Sequence, residues 1–295
     1  MLKLIDCLES SEGNVWKYVF ELEGNRIIEA VLYRYNSFKE RVVLCISVQS
    51  GCPVGCGFCG TGKNFLGNLS LEEIEAQVNF VFKDKNITPS KVKKLQVMFM
   101  SCGEPMLNID SVINSIAHLN LLYPNAELLL STVGIKSKHA IESINNISMN
   151  CEKVGLQFSI HRGNNEARNK LIPYSNKLTL AGLAKWGEIW HGITGRPVFL
   201  NYILTKASSA EKDFQPLVKR FKPGIFNITL SVMCSPKQGK KKQKNEELLQ
   251  EWKDKFLHLG YDVRVFDPAG QDDIGGGCGQ LWIFQEYLKT HKMEV

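Results

Sequence analysis

The sequence predicts an α/β fold built on a parallel sheet or barrel, because apolar β-type runs alternate with segments of helical periodicity. The β-type runs lie at residues 42–48, 95–100, 127–131, 154–160, 198–203, 226–232 and 262–265. Strands that alternate with helices are typical of βαβ units, whose strands pair in parallel. The 295 residues and the hydrophobic content of 44% fit one large domain or two small ones with a substantial core.

The clearest predicted helix follows Ser70. Its apolar positions recur at helical spacing, at Leu71, Ile74, Val78 and Val81 or Phe82. Ser70 and Glu73, three residues later, form the pattern of a capping box, which marks a helix N-terminus. Residues 179–190, 213–220 and 246–259 show the same helical periodicity.

Charge and cysteine content bear on partners and compartment. The net charge of +6 is compatible with an anionic partner, and the basic run at 237–244 fits a solvated loop and an RNA-phosphate contact equally well. No segment has the pattern of a secretory signal, and no apolar run approaches the about 20 residues that cross a bilayer. We therefore expect a cytoplasmic protein with no membrane partner, whose clustered cysteines serve metal binding or catalysis.

Three cysteines form the strongest motif. Cys52, Cys56 and Cys59 follow the first β-type run with spacers of three and two residues. A structural zinc site is one interpretation, but such sites nearly always have four Cys or His ligands, and the next candidates are as far away as Cys102 and His118. Three thiols leave one metal coordination position without a protein ligand, and an open position can bind a substrate or cofactor.

Polar residues and glycines follow the first four predicted strands. The cysteine loop follows the first strand, residues 101–108 the second, residues 131–134 the third and residues 159–161 the fourth. In parallel α/β folds, ligands gather at the carboxyl ends of the strands. The sequence therefore predicts one shared site at this edge of the sheet.

Five segments, in order, resemble those of one enzyme family. They are CISVQSGC (45–52), FCGTGK (58–63), MFMSCGEPMLN (98–108), SIH (159–161) and DDIGGGCGQL (272–281). Together they resemble the radical S-adenosylmethionine (SAM) RNA adenine methyltransferases, which methylate carbon C2 or C8 of adenine in ribosomal and, for some members, transfer RNA. The resemblance implies a partial (β/α)6 barrel of the radical SAM type.

The resemblance also implies the site residues and cofactors. Cys52, Cys56 and Cys59 match the ligands of a 4Fe-4S cluster, the second cofactor beside SAM. The positions that match SAM contacts are Gly103, Glu104, Ser131, Ser159, Ile160, His161 and Ser235. Cys278 matches the cysteine that carries the methyl group as an intermediate, Cys45 the thiol that later forms a disulfide with it, and Glu29 a proposed proton acceptor.

The implied reaction explains these residue types. One SAM methylates the Cys278 thiolate, and a second SAM is cleaved to a 5′-deoxyadenosyl radical with an electron from a donor such as flavodoxin or ferredoxin. The radical removes a hydrogen from the methylthio group, whose carbon then adds to the ring before Cys45 releases the product. Without the resemblance, Cys45 in its apolar run would be a core residue, Glu29 an ordinary surface carboxylate, and Cys278 among glycines part of a functional loop.

The chain departs from the family in ways that concern the substrate. We expect a short, divergent member without the accessory RNA-binding domain, with an N-terminal β extension at 1–38 and a catalytic domain at 39–295. Residues 267–270 replace basic residues of the family, Ser235 replaces an asparagine, and a further asparagine after the strand at 198–203 gives way to Ser208 or a neighbour. The alternatives are a radical SAM enzyme for a nucleotide, metabolite or peptide, and a catalytically silent iron–sulfur or RNA-binding module.

Overall fold

The computed structural model describes residues 2–62, 65–205, 208–232, 246–266 and 274–277. The strands are β1 (Lys3–Glu9), β2 (Val15–Leu22), β3 (Arg26–Tyr35), β4 (Arg41–Ile46), β5 (Gln49–Ser50), β6 (Gly67–Asn68), β7 (Lys94–Phe99), β8 (Ala126–Thr132), β9 (Val154–Ser159), β10 (Val198–Leu204), β11 (Phe226–Val232) and β12 (Val263–Phe266). The helices are α1 (Leu71–Asp84), α2 (Ile109–Leu122), α3 (Lys138–Asn150), α4 (Asn165–Leu171), α5 (Leu180–Thr194), α6 (Gln215–Arg220) and α7 (Glu246–His258). Across these ranges, every helix is too short or too polar to cross a lipid bilayer.

Ten strands form one sheet in the order β1-β2-β3-β4-β7-β8-β9-β10-β11-β12. The first four pair antiparallel, and the pairs from β4–β7 to β11–β12 are parallel. Six strand–helix units run from β4–α1 to β11–α7, and β12 adds a seventh parallel strand. All seven predicted runs correspond to these parallel strands, so the predicted fold class is confirmed.

The predicted helix after Ser70 is α1, and its capping box is present. The Glu73 N–H donates to the Ser70 hydroxyl at 3.2 Å, and the Ser70 N–H donates to the Glu73 carboxylate at 3.0 Å. The buried stripe includes Ile74, Val78, Val81 and Phe82, as the periodicity predicts. The predicted helix at 213–220 differs in its first turn, because a π-helical turn (Ala210–Phe214) precedes α6.

The two faces of the sheet have different partners. The helices cover one face, where the main apolar core lies. The other face carries a smaller buried group that joins strand residues to the segment at 274–277: Val15, Val31, Tyr33, Val43, Cys45, Cys102 and Ile274. On this inner face, the rings of Tyr33 in β3 and Phe266 in β12 meet edge to face with centroids 5.8 Å apart. Strands far apart in the sheet order therefore face each other, as the curvature of a partial barrel requires.

Candidate active site

The cysteine loop runs from the end of β4 towards α1 and is closed by a small hairpin. Strands β5 and β6 pair antiparallel, and the Leu66 N–H donates to the Ser50 carbonyl at 2.8 Å. The loop is also fixed to α4, because the Gly57 N–H donates to the Leu171 carbonyl at 2.8 Å. Main-chain hydrogen bonds thus hold the loop near its ends and in its middle. Its three thiols line a cavity.

Glycines make the tight path of this loop possible. Gly55 has a φ of 70°, a conformation that side chains with a Cβ rarely adopt. A Cβ on Gly62 would lie 3.0 Å from the Gly55 Cα, so the two chain segments touch. Gly103 in the facing loop has a φ of 105°, and its Cβ would lie 2.7 Å from the Gln49 Cβ. Glycine is therefore a packing requirement on both sides of the cysteines.

The three thiols lie partly buried at the wall of one cavity. Burial raises the pKa of Cys56 to about 12 and also raises the pKa of Cys52. The Cys59 sulfur lies 3.0 Å from the Thr61 hydroxyl. A metal deprotonates a thiol that binds it. The free energy needed to ionise three buried thiols therefore falls when a cationic iron group binds them.

The number of thiols bears on whether the loop suits a zinc ion or an iron–sulfur cluster. Three cysteines of the loop line the cavity, one fewer than the four Cys or His ligands of a structural zinc site. Zinc requires all its sulfur ligands at about 2.3 Å from one ion, whereas a cluster takes its thiolates on separate iron atoms. Cys102, a further cysteine, is buried on the inner face, where burial and the Glu29 carboxylate raise its pKa to about 12. Three spaced thiols around one cavity fit the cluster.

The cavity has a volume of about 180 Å³ and lies at the carboxyl ends of the parallel strands. The predicted residues that line it are Cys45, Cys52, Cys56, Cys59, Gly103, Glu104, Ser131, Ser159 and His161. They come from β4, β7, β8, β9 and the loops after these strands. The structure therefore brings these residues together at one edge of the sheet, as the sequence predicts. Ile160 is different, since its side chain lies in the main core, its N–H donates to the Asn201 carbonyl at 3.1 Å and its carbonyl accepts the Arg162 N–H at 2.8 Å.

Glu104 is a buried carboxylate fixed by the end of β8. It accepts from the Thr132 hydroxyl at 2.5 Å, the Val133 N–H at 2.9 Å and the Met106 N–H at 3.1 Å. Burial raises the pKa of Glu104, and these hydrogen bonds oppose the shift. The carboxylate is therefore oriented before any ligand binds, and it can receive a cationic group from the cavity.

His161 contributes a neutral imidazole. Its Nδ1 accepts the Ile203 N–H at 3.3 Å, so the proton of the neutral ring lies on Nε2. Burial, with Arg168 and Arg162 nearby, lowers the pKa of His161 to about 3. Its ring packs edge to face on Phe58 of the cysteine loop at 4.9 Å. The group offers a fixed hydrogen-bond donor and an aromatic surface without a charge.

Comparison with known proteins places this geometry in a family. No family model matches the chain. A probable dual-specificity RNA methyltransferase RlmN from Dictyoglomus turgidum is 31% identical over 95% of this chain and 79% of its own length, and its counterpart from Thermotoga petrophila is 32% identical over the same shares. The chain belongs to the RlmN family of RNA methyltransferases.

Solved structures agree on the fold. A radical SAM methyltransferase from Sphaerobacter thermophilus superposes with a TM-score of 0.81 over 95% of this chain and 80% of its own, at 23% identity. A point mutant of spore photoproduct lyase superposes over 75% of both chains with a TM-score of 0.52. These likenesses confirm the predicted radical SAM type of partial barrel.

Asn201 is a cavity residue that the motif resemblance to the RlmN family missed. It lies in β10, lines the cavity and accepts the Ser231 hydroxyl at 2.7 Å. Ser208 or a neighbour was expected in place of a further family asparagine after this strand; Ser208 accepts the Thr205 N–H at 3.1 Å and does not line the cavity. The sequence feature that could have indicated Asn201 is its polar side chain within an otherwise apolar strand.

The remaining RlmN-type positions have mixed outcomes. Cys45 lies in β4 opposite Val31 of β3, is buried and lines the cavity, so it is both a core and a site residue. Glu29 is fully buried and forms an ion pair with Lys17 at 3.0 Å, so its description as an ordinary surface carboxylate is wrong. Cys278 and Ser235 lie outside the described residues, and their roles, like the pairing of Cys45 with Cys278, stay predictions.

Proposed function

We propose that the protein is a radical SAM methyltransferase that methylates an adenine ring carbon, C2 or C8, in ribosomal or transfer RNA. The observation that carries the proposal is the cavity itself, where three spaced thiols, the oriented Glu104 carboxylate and the Cys45 thiol meet. Membership of the RlmN family supports the substrate class. Residues 39–295 form the catalytic part in this proposal, and residues 1–38 its N-terminal β extension.

The residues around the cavity would hold both cofactors. Cys52, Cys56 and Cys59 would be the ligands of a 4Fe-4S cluster, and its chemistry there would be one-electron reduction of SAM to give a 5′-deoxyadenosyl radical. Glu104 receives the SAM ammonium group, and Ser131, Ser159 and His161 offer polar contacts from neighbouring strand ends. Because these groups are held by their own hydrogen bonds, little reorganisation is needed when SAM binds.

Two cysteines handle the methyl group. The Cys278 thiolate would take a methyl group from one SAM and release S-adenosylhomocysteine. After hydrogen abstraction the methylene carbon would bond to the adenine, and the resulting adduct radical would give up one electron to the oxidised 4Fe-4S cluster. The Cys45 thiolate then attacks the Cys278 sulfur, so an S–S bond forms as the sulfur–carbon bond breaks and the carbon is protonated. Glu29 accepts the ring proton in this scheme. The disulfide requires a two-electron thiol reductant before another turnover.

Partners follow from the chemistry. The RNA is an anionic substrate, and a net charge of +6 favours its association through phosphate contacts. The cluster needs a one-electron donor of the flavodoxin or ferredoxin type. An oxygen-sensitive cluster and reducible thiols favour the cytoplasm as the location.

The test is anaerobic reconstitution with iron and sulfide, followed by peptide mass spectrometry. We expect S-methylcysteine at Cys278 after incubation with SAM, and a methylated adenosine in RNA after reduction. Cys278→Ala should abolish the methylated nucleoside yet still yield 5′-deoxyadenosine, whereas Cys7→Ala, at an exposed cysteine of β1, should behave as the wild type. A wild-type protein that carries an active cluster and never shows methylcysteine would rule out the two-cysteine scheme.

A loss of 5′-deoxyadenosine together with product in Cys278→Ala would point to a folding or cluster defect instead. The substrate class is tested separately by comparing nucleosides in RNA from cells with and without the protein. An unchanged set of methylated adenosines would indicate that the substrate is a nucleotide, metabolite or peptide and not RNA.

A further inference from the structure

The segment at 274–277, which leads directly into Cys278, is anchored on the inner face of the sheet. Ile274 is buried in the inner-face group, and Gly276 and Gly277 line the cavity. A Cβ on Gly276 would lie 3.3 Å from the Val31 Cγ1, so the segment is in close contact with β3. A side chain at that position would press against Val31.

Two buried side chains hold consecutive carbonyl groups of this segment. The Lys17 ammonium of β2 donates to the Gly275 carbonyl at 3.1 Å. The Tyr33 hydroxyl of β3 donates to the Gly276 carbonyl at 2.7 Å. Lys17 is 0% and Tyr33 2% exposed, so neither bond competes with bulk water.

Glu29 fixes the Lys17 ammonium in place. The two charged groups lie 3.0 Å apart and both side chains are 0% exposed. A buried ammonium is tolerated only when it is paired and hydrogen-bonded, and here the carboxylate and the Gly275 carbonyl meet that need. Glu29, Lys17 and Gly275 therefore form a continuous polar chain from β3 through β2 to the glycine segment.

Glycine-rich backbone is costly to order, so bonds that fix this segment also restrict the position of Cys278, the next residue in the chain. A methyl-carrying thiol must meet SAM, the adenine and Cys45 in turn, and small displacements of a reacting group reduce rates strongly. We propose that Lys17 and Tyr33 are positioning residues that hold the Gly275 and Gly276 carbonyls and thereby order the backbone that leads into Cys278. The proposal rests on the proposed function and gives Glu29 a structural role beside proton acceptance.

The sharpest variant is Tyr33→Phe, which removes one hydroxyl and keeps the ring. The control is Tyr18→Phe on β2, where the lost hydroxyl bond goes to Asp84 at 2.8 Å and not to the glycine segment. We expect Tyr33→Phe to slow methylation of Cys278 about fivefold, the effect of one ordinary hydrogen bond. Formation of 5′-deoxyadenosine by the same samples should fall less than Cys278 methylation, because the cluster loop and Glu104 are not altered.

A second variant tests the charged pair. Lys17→Met alone would leave the Glu29 carboxylate buried without its cation, which destabilises the fold strongly, so Lys17→Met is combined with Glu29→Gln. Hydrogen–deuterium exchange of the peptide that contains residues 274–277 should rise in this double variant and in Tyr33→Phe, but not in Tyr18→Phe. This readout does not depend on a loaded cluster.

The outcomes separate this proposal from the proposed function. Equal Cys278 methylation and equal exchange in Tyr33→Phe and the wild type would overturn the positioning role, as would a parallel loss of 5′-deoxyadenosine and methylcysteine. A wild-type protein that never methylates Cys278 would overturn the proposed function instead, and faster exchange in Tyr33→Phe would still support the anchoring of the segment.

Discussion

At the residue scale, His161 shows how burial sets the chemistry of a side chain. The ring sits in a left-handed backbone conformation, with a φ of 54°, and is 3% exposed. Its Nδ1 is occupied as an acceptor for the Ile203 N–H, so protonation would break that bond as well as bury a charge. The imidazole is therefore neutral at any pH at which the enzyme would work.

This predicts a pH dependence of stability. The pKa of His161 is about 3 in the folded state against an ordinary value of 6.5, so on acidification the unfolded state takes up the proton first. The stability contributed by the neutral ring is complete above pH 6.5 and falls by about 1.4 kcal/mol for each pH unit below it. Urea unfolding at pH 7.5 and 5.5 should show a loss of about that size in the wild type.

His161→Asn is the matched variant, because asparagine tolerates a positive φ and offers an amide oxygen to the Ile203 N–H. Its stability should change less between the two pH values, whereas the exposed variant His139→Asn should keep the wild-type dependence. An identical pH dependence in His161→Asn and the wild type would show that another group is responsible.

Individual side chains were predictable from the sequence only where a local motif includes them. The cluster cysteines, Gly103 and Glu104 lie in such motifs, and the structure brings them to one cavity. Lys17 and Tyr33 were not singled out, because their carbonyl partners lie 258 and 243 residues away along the chain. The burial of Glu29 was hidden for a related reason, since both faces of β3 are covered and its pattern shows no alternation.

At the element scale, Arg168 of α4 connects the strand ends that form the cavity. Its guanidinium donates to the Val133 carbonyl at 2.6 Å, after β8, and to the Ser159 carbonyl at 3.4 Å, at the end of β9. A third bond reaches the Leu178 carbonyl at 2.9 Å. The fixed fork of arginine makes such a bridge possible, and lysine cannot reproduce it.

Arg168→Lys should therefore keep the charge and lose most of the bridge. We expect a loss of stability of about 1–3 kcal/mol and weaker SAM binding, because Ser131 and Ser159 stand on the released strand ends. Urea unfolding and calorimetric titration of SAM into the reconstituted enzyme give the two values. Arg196→Lys is the control, since Arg196 also donates to main-chain carbonyls, those of Ser148 and Cys151, away from the cavity.

Stability should fall in both variants, and SAM affinity only in Arg168→Lys. Equal SAM affinity in Arg168→Lys and the wild type would mean that the strand ends hold their positions without this bridge.

Elements with strong local signals were the predictable ones. Strand β4 forms a nearly continuous apolar run because both of its faces are buried, and α1 has its capping box. The π-helical turn before α6 was not predictable from apolar spacing. Pro216 lacks an N–H and is tolerated in the first turn of an ordinary α-helix, so it gave no sign of a different turn. The strands of the N-terminal extension were expected only as β structure, since their order and pairing depend on contacts with β4.

At the scale of the whole molecule, the N-terminal strands and the parallel strands share one sheet and one core. β3 pairs with β4 over residues 31–35 and 41–45, and the main core runs without interruption from Trp16 to Tyr261. The inner face of β3 also forms part of the cavity wall, through Val31 and Tyr33. The extension thus completes both the fold and the site.

Two truncations test this continuity. Removal of residues 1–38 deletes β2 and β3, whose apolar side chains are almost all buried, and exposes the edge of β4. Each buried large apolar side chain stabilises a fold by about 1.5–3 kcal/mol, so this loss exceeds the about 5–15 kcal/mol by which domains are stable.

Removal of residues 1–8 deletes most of β1, whose side chains are largely exposed, and should leave a folded protein. We expect circular dichroism and SAM cleavage to be retained in the short truncation and lost in the long one. A chain of residues 39–295 that folds and cleaves SAM would show that the parallel strands are a self-sufficient unit.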